Sequence, residues 1–149
     1  MSADLPNEMD EDERDAFLGA GGTGVLSLST ASGESPYAVP VSYGYDRSTG
    51  TFYFRLATDA DGEKGELDDR RATFVTYGQP EDRWQSVVAE GRLEPTGEES
   101  IAIETLEGLG NVELQYVDVF DRPLEAVSFE FYRLVPDRIG ARRESRTGQ

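Results

Sequence analysis

Apolar residues recur with a period of two along most of this chain, and that habit limits the folds open to it. From Tyr37 to Tyr45, the residues Tyr37, Val39, Val41, Tyr43 and Tyr45 fall on one face, with Ala38, Pro40, Ser42 and Gly44 on the other. Leu26 and Leu28 alternate with Ser27 and Ser29, and Phe52, Phe54 and Leu56 with Tyr53 and Arg55. Gln85, Val87, Ala89 and Leu93 alternate in the same way with Trp84, Ser86, Val88, Glu90 and Arg92. Such alternation builds half-buried strands, one face on a core and one outside. Pro40 removes a ladder donor in mid-strand, which marks an edge, a bulge or a stretch facing a ligand.

Short polar segments at Ala31–Pro36, Asp46–Gly50 and Gln79–Arg83 separate these runs as turns, and Ala72–Gly78 and Ala126–Leu134 add further strands. Glu8–Leu18 reads as an acidic helix entered from Asn7 or Asp10 and ended by Gly19. A capping box at Thr96–Glu99 opens a second helix through Leu109, and Glu66–Arg71 has room for a helical turn. Asn111–Pro123 is ambiguous. Gly19, Gly21, Gly22 and Gly24 follow a helix and precede a strand, the reverse of a dinucleotide fingerprint, and read as a connector. An arginine-rich tail follows Pro136. The expected fold is mainly β (α+β): a six-stranded antiparallel barrel with a few short helices, in one domain over residues 1–149, with 1–12 and 144–149 as flexible ends.

The chain has no cysteine and no histidine, which removes Ser-His-Asp triads, Cys-His dyads, thiolate zinc sites and disulfides. Thirty acidic residues against fourteen basic ones give a net charge of −16. That balance argues against nucleic acid as a partner, because phosphate-backbone binding needs a basic footprint, and against anionic membranes. No apolar run approaches the ~20 residues of a membrane helix, and a soluble, cytoplasmic protein is expected. The acidic, cysteine-free, arginine-over-lysine composition resembles that of cytoplasmic proteins from extreme halophiles. Lys64, in Asp61-Gly-Glu-Lys64, is the chain's one lysine. A compact ammonium beside a glycine suits a phosphate group; the alternative is an ordinary surface lysine.

Three blocks together resemble the pyridoxamine 5'-phosphate oxidase-like family of flavin-binding split barrels. They are Gly24-Val-Leu-Ser-Leu-Ser-Thr with Ser35-Pro-Tyr-Ala-Val-Pro-Val-Ser-Tyr43, Thr51-Phe-Tyr-Phe-Arg-Leu-Ala57 leading to Gly62-Glu-Lys64, and Trp84-Gln-Ser-Val-Val-Ala-Glu-Gly91. The resemblance implies FMN as cofactor and a homodimer with the flavin between two subunits. By position, Val39, Pro40, Val41, Ser42 and Tyr43 would line the ring through backbone and small side chains. Phe54 and Arg55 would approach the phosphate or ribityl chain, Lys64 would neutralise the phosphate, and Trp84, Gln85 and Ser86 would complete the pocket. Each also has a structural reading: Trp84 as a core aromatic, Ser86 as a plain strand residue, Arg55 as half of an ion pair.

The chain departs from the family's best-known enzyme, whose Arg-x-His substrate motif is impossible without histidine, so oxidation of vitamin B6 is not expected. The endings Arg133-Leu-Val-Pro136 and Ile139-Gly-Ala-Arg142 resemble those of smaller FMN-binding relatives and flavin reductases. The chemistry of such a protein would come from the cofactor, so missing His and Cys would not disable it. Two classes stay open: an FMN-dependent oxidoreductase or reductase acting on an unknown small molecule, and a non-catalytic flavin-binding module. An F420-dependent reductase is the alternative cofactor choice.

Overall fold

The structure, a computed structural model, describes residues 7–30, 34–59, 70–110 and 127–144, with backbone alone at 57–59 and 127–128. The turn expected at Ala31–Pro36 lies partly, and Asn111–Pro123 and Lys64 wholly, outside the described residues, as does all of Glu66–Arg71 except its last two residues.

The chain runs through α1 (Glu11–Leu18), β1 (Gly21–Leu28), β2 (Tyr37–Asp46), β3 (Thr51–Asp59), β4 (Arg71–Gly78), β5 (Gln85–Thr96), α2 (Ile103–Gly110), β6 (Val127–Leu134) and β7 (Arg138–Arg143). Every pairing is antiparallel. The order β4-β1-β2-β3-β6-β5 closes through a β4–β5 pairing into a six-stranded barrel, with β7 as an extra strand. β5 is long enough to divide its second edge: Gln85–Glu90 pairs with β7 and Leu93–Thr96 with β6. That division splits the barrel wall.

The alternation decides what faces inward. Leu26, Leu28, Tyr43, Tyr45, Phe52, Phe54, Leu56, Phe74, Val87, Ala89, Leu93, Tyr132 and Leu134 are buried together. Phe74 sits at the centre, with ring centroids 5.1 Å from Tyr43 and from Phe54 and 5.4 Å from Phe52. Fully burying one such side chain stabilises the fold by about 1.5–3 kcal/mol.

The glycine run is not a connector. Gly19 caps α1 as expected, while Gly21, Gly22 and Gly24 lie in the first half of β1 and make room for neighbours brought in from elsewhere. A Cβ on Gly24 would lie 2.5 Å from the Val75 carbonyl oxygen and 2.6 Å from the Phe74 ring, and one on Gly21 would lie 2.5 Å from the Gly108 carbonyl oxygen. Gly44 serves the same purpose under α2, where a Cβ would meet the Thr105 carbonyl oxygen at 2.7 Å.

α1 starts at Glu11, not Glu8, because Asp10 and Glu13 form a reciprocal capping box. Leu18 is buried, and the Tyr43 hydroxyl donates to its carbonyl oxygen at 2.9 Å. The capping box expected to open the second helix yields a 3-10 turn at Glu98–Ser100 instead, and α2 begins at Ile103. The arginine-rich tail is not a tail: Arg138–Arg143 is β7, whose Ile139 and Ala141 pack on the core. Residues 7–9 lie along β7, with the Met9 N–H donating to the Ala141 carbonyl and the Arg143 N–H to the Asn7 carbonyl.

Candidate functional site

The β4–β5 hairpin turns at Pro80–Asp82, where Glu81 and Asp82 take left-handed φ values of 54° and 62°. That turn sets Tyr77 opposite Ser86, and β7 sets Arg142 opposite Ser86 on the other side. Directly opposed residues of an antiparallel pair share a face, so Tyr77, Ser86 and Arg142 form one outward rung across three strands. Trp84 stands just before β5, its ring centroid 6.0 Å from that of Tyr77 at 44°. Both rings are exposed, Tyr77 at 65% and Trp84 at 47%. The Trp84 backbone is fixed by Glu144: the Glu144 N–H donates to the Trp84 carbonyl at 2.7 Å, and the Trp84 N–H donates to Glu144 Oε1 at 3.1 Å.

These residues enclose an open cavity of about 270 Å³, with Tyr77, Trp84, Gln85 and Ser86 on one side. Asn7, Arg142, Arg143 and Glu144 form the other. Arg143 is committed, donating to the Glu8 carbonyl at 2.8 Å and to both Glu13 carboxylate oxygens at 3.0 Å. Other arginines are committed too: Arg71 pairs with Asp137, Arg133 with Glu94, and Arg14 with Asp15. Arg142 makes no ion pair or side-chain hydrogen bond among the described residues and is exposed.

Thus the structure brings Trp84, Gln85 and Ser86 into one cavity. A second group lies on β2 and β3, where Tyr43 pairs with Phe54. There Val41, Tyr43 and Phe54 are buried in the core and Val39 packs against it, so their side chains serve the barrel interior. Pro40 and Ser42 alternate with them and face outward. Arg55 is exposed, its guanidinium 4.6 Å from the centre of the Phe129 ring. The two groups do not meet in one copy. In the closed ring of strands β2 stands three places from β5, on the opposite wall.

Neither Tyr77 nor Asn7 stands out as a site residue in the sequence, whereas Arg142 does, with Arg138 and Arg143, as a cation of the arginine-rich segment that could serve an F420 tail. Tyr77 could have been singled out, since it stands two residues before the Gln79–Arg83 turn and Ser86 three residues after it. The place of Arg142 beside Ser86 comes from the alternation of Ile139 and Ala141 in β7. Among the described residues no cluster of three or more His, Cys, Asp or Glu could hold a metal. No helix among them is long and apolar enough to cross a membrane.

The family model described as Pyridoxamine 5'-phosphate oxidase matches residues 10–143. The chain belongs to the pyridoxamine 5'-phosphate oxidase family. None of the curated proteins compared with it matches this sequence. Solved structures share the fold of this family member at low identity. A conserved hypothetical protein from Mycobacterium tuberculosis is 21% identical, with a TM-score of 0.61, covering 95% of this chain and 89% of its own. An FAD binding protein from Mycobacterium smegmatis is 16% identical, with a TM-score of 0.58, covering 92% and 97%. An FAD-binding protein from Mesorhizobium loti is 18% identical, with a TM-score of 0.59, covering 92% and 95%.

Proposed function

We propose that this protein binds a flavin, FMN in the first instance, between two copies of the chain, and uses it as an oxidoreductase on a small molecule. The observation that carries this reading is the family match over residues 10–143, joined by structural neighbours that bind FAD.

The residues present suit the group. Gln85 supplies an amide, Ser42 and Ser86 hydroxyls, Trp84 and Tyr77 aromatic faces, and Arg55 and Arg142 cations, all on the outside of the barrel. One copy supplies too little wall, because the cavity falls short of the roughly 300 Å³ at which ligand pockets usually begin. A second copy has somewhere to sit. Pro40, Val25, Val75, Val88 and Gly140 are successive partners across β2, β1, β4, β5 and β7, and they make an outward apolar row. A two-fold dimer on that row would set the β2–β3 group of one copy near the Trp84 group of its partner.

Bound flavin supplies reversible two-electron transfer. The chain's own part is to hold it: Lys64 would neutralise the phosphate, Gln85 and Ser86 would satisfy polar edges that burial cannot leave unpaired, and Trp84 would exclude water. Oxidation of pyridoxamine phosphate is not proposed, since the chain has no histidine for the substrate motif.

Purification in molar KCl and an absorbance spectrum test the reading. A yellow protein, or apoprotein that titrates saturably with FMN, followed by anaerobic bleaching with NADH or NADPH, is expected. Saturable F420 binding instead would change the cofactor, and binding without bleaching would make it a non-catalytic module. Failure to bind FMN, FAD and F420 alike would overturn the proposal.

A further inference from the structure

β7 is the outermost strand of the sheet, and residues 7–9 lie on its outer edge, with Glu8 directly opposite Arg142. A bare strand edge invites unwanted pairing, so a cover there has a purpose. This cover is slight. Two main-chain hydrogen bonds hold it among the described residues, from the Met9 N–H to the Ala141 carbonyl at 3.0 Å and from the Arg143 N–H to the Asn7 carbonyl at 2.7 Å. Six consecutive residue pairs, Gln85–Arg143 through Glu90–Arg138, join β7 to β5 on its other side. Met9, buried in the core cluster, is the segment's apolar anchor.

Arg143 supplies the remaining tie. Its Nη1 donates to the Glu8 carbonyl at 2.8 Å and to both Glu13 carboxylate oxygens at 3.0 Å. Glu13 belongs to α1, which is seated without help from residues 7–9: Leu18 is buried, the Tyr45 hydroxyl donates to Asp15, and the Tyr43 hydroxyl donates to the Leu18 carbonyl. Glu13 therefore orients Arg143 from a fixed element, and Arg143 grips a weakly held one. Asp10, the extended residue that caps α1, is the joint between the two. Asn7, at the far end of the segment, forms part of the cavity wall opposite Trp84.

We infer that residues 7–9 are a detachable strap latched by Arg143, which lifts from β7 about Asp10 while α1 and the barrel stay in place, and that this strap gates the β7 side of the cavity. Seated, it closes that side with Asn7; lifted, it removes the wall and lets a ligand in or out. A ligand that favours the seated strap is in turn retained by it. The lifting is a property of the chain alone, whereas the role as an entrance for flavin rests on the flavin reading.

Amide hydrogen exchange of flavin-free protein at fixed molar KCl reads the strap directly. The Met9 N–H should exchange through a local opening, well ahead of the amides in the β4–β5 ladder. Arg143→Ala should speed Met9 exchange by roughly ten-fold to a hundred-fold, the loss of one charge-assisted hydrogen bond, and leave the β4–β5 amides unchanged. Glu13→Gln should give a smaller rise, since glutamine keeps the reciprocal cap with Asp10 and loses only the charge. A Met9 amide as slow as the ladder, or equally fast in wild type and Arg143→Ala, overturns the inference. So does a rise of all amides together, which would make Arg143 a plain stabilising residue.

The gate has its own test. The chain has no cysteine, so Glu8→Cys combined with Arg142→Cys adds a single disulfide between opposed residues that locks the strap down. Oxidised and reduced forms of this one protein differ only in the lock, so the loss of Arg142 cancels between them. FMN association and dissociation should both slow in the oxidised form, with little change in their ratio, and recover on reduction. Equal rates in the two forms overturn the gate. A protein that passes the exchange test but binds no flavin keeps the strap and loses the flavin reading, and the entrance with it. A yellow protein whose Met9 exchange ignores Arg143 keeps the flavin and loses the strap.

Discussion

The Tyr45 hydroxyl donates to Asp15 Oδ1 at 2.8 Å, tying the barrel wall to the helix before β1. Both residues are buried, and Asp15 also pairs with Arg14 at 3.2 Å. A hydrogen bond to a charged acceptor is worth more than a neutral one, but here Arg14 keeps part of the compensation when Tyr45 is lost. Tyr45→Phe should therefore destabilise the protein by about 1–2 kcal/mol in chemical denaturation, and Asp15→Ala, which strands both Tyr45 and Arg14, by more.

The same tyrosine sets an alkaline limit. Burial first, and then the hydrogen bond to Asp15, push the Tyr45 phenol up to about 12, and burial pushes Tyr43 up to about 12 as well. A raised folded-state value means that the folded protein holds its protons longer than the unfolded chain does. The stabilisation is complete below the ordinary tyrosine value of 10 and is lost as pH climbs through 12. Denaturation midpoints should fall across that window, tracking tyrosinate absorbance, and Tyr45→Phe should flatten the decline. A midpoint constant from pH 10 to 12 would contradict this.

Gly24→Ala should cost about 1–3 kcal/mol, because the new methyl meets the Val75 backbone oxygen, which cannot swing aside. Gly110→Ala is the control: a Cβ there meets nothing within 4 Å among the described residues, and the melting temperature should hold or rise. Equal behaviour of the two variants would mean that β1 is not clamped between Phe74 and its neighbours.

These glycines mark where the sequence stops being readable. The inward sets of β2, β3 and β5 are legible because alternation is local and burial follows it. Gly22 and Gly24 are inward positions whose space is filled by Tyr43 and Phe74, residues on other strands, and nothing within the run announces that. β7 was hidden by its charges: Arg138, Arg142 and Arg143 obscure an alternation carried only by Ile139 and Ala141. The cavity is harder still, since it joins Asn7, the β4–β5 hairpin and β7, which meet only through pairing. Trp84, Gln85 and Ser86 could be nominated by resemblance, but their companion Arg142 required the register.

The outward row of Val25, Val75 and Val88 should be where a second copy sits. Val88→Asp would place a carboxylate in that seam at no cost to the barrel interior, since Val88 alternates with the buried Val87 and Ala89. Sedimentation should show dimer becoming monomer, with flavin affinity falling in parallel. A Val88→Asp protein that stays dimeric, or a monomer that binds flavin as tightly, would remove the seam.

Stability should rise with KCl into the molar range. The Debye length falls to about 3 Å there, damping repulsion among the 30 acidic residues, while the exposed pairs Arg71–Asp137 and Arg133–Glu94 lose only about 0–1 kcal/mol each. A melting temperature that is flat or falls with added KCl would contradict a surface adapted to concentrated salt.

Lys64 is the chain's one lysine, and its role has a test of its own. If the ammonium holds the FMN phosphate, Lys64→Ala should weaken FMN by roughly ten-fold to a hundred-fold, the worth of one charge-assisted hydrogen bond. Riboflavin, which lacks the phosphate, should bind both proteins alike. Lys64→Arg should restore part of the loss, because charge returns but a planar fork replaces a compact ammonium. Damage to folding would instead weaken both ligands together. Equal FMN affinity in wild type and Lys64→Ala would return Lys64 to the role of an ordinary surface lysine and leave the phosphate to other groups.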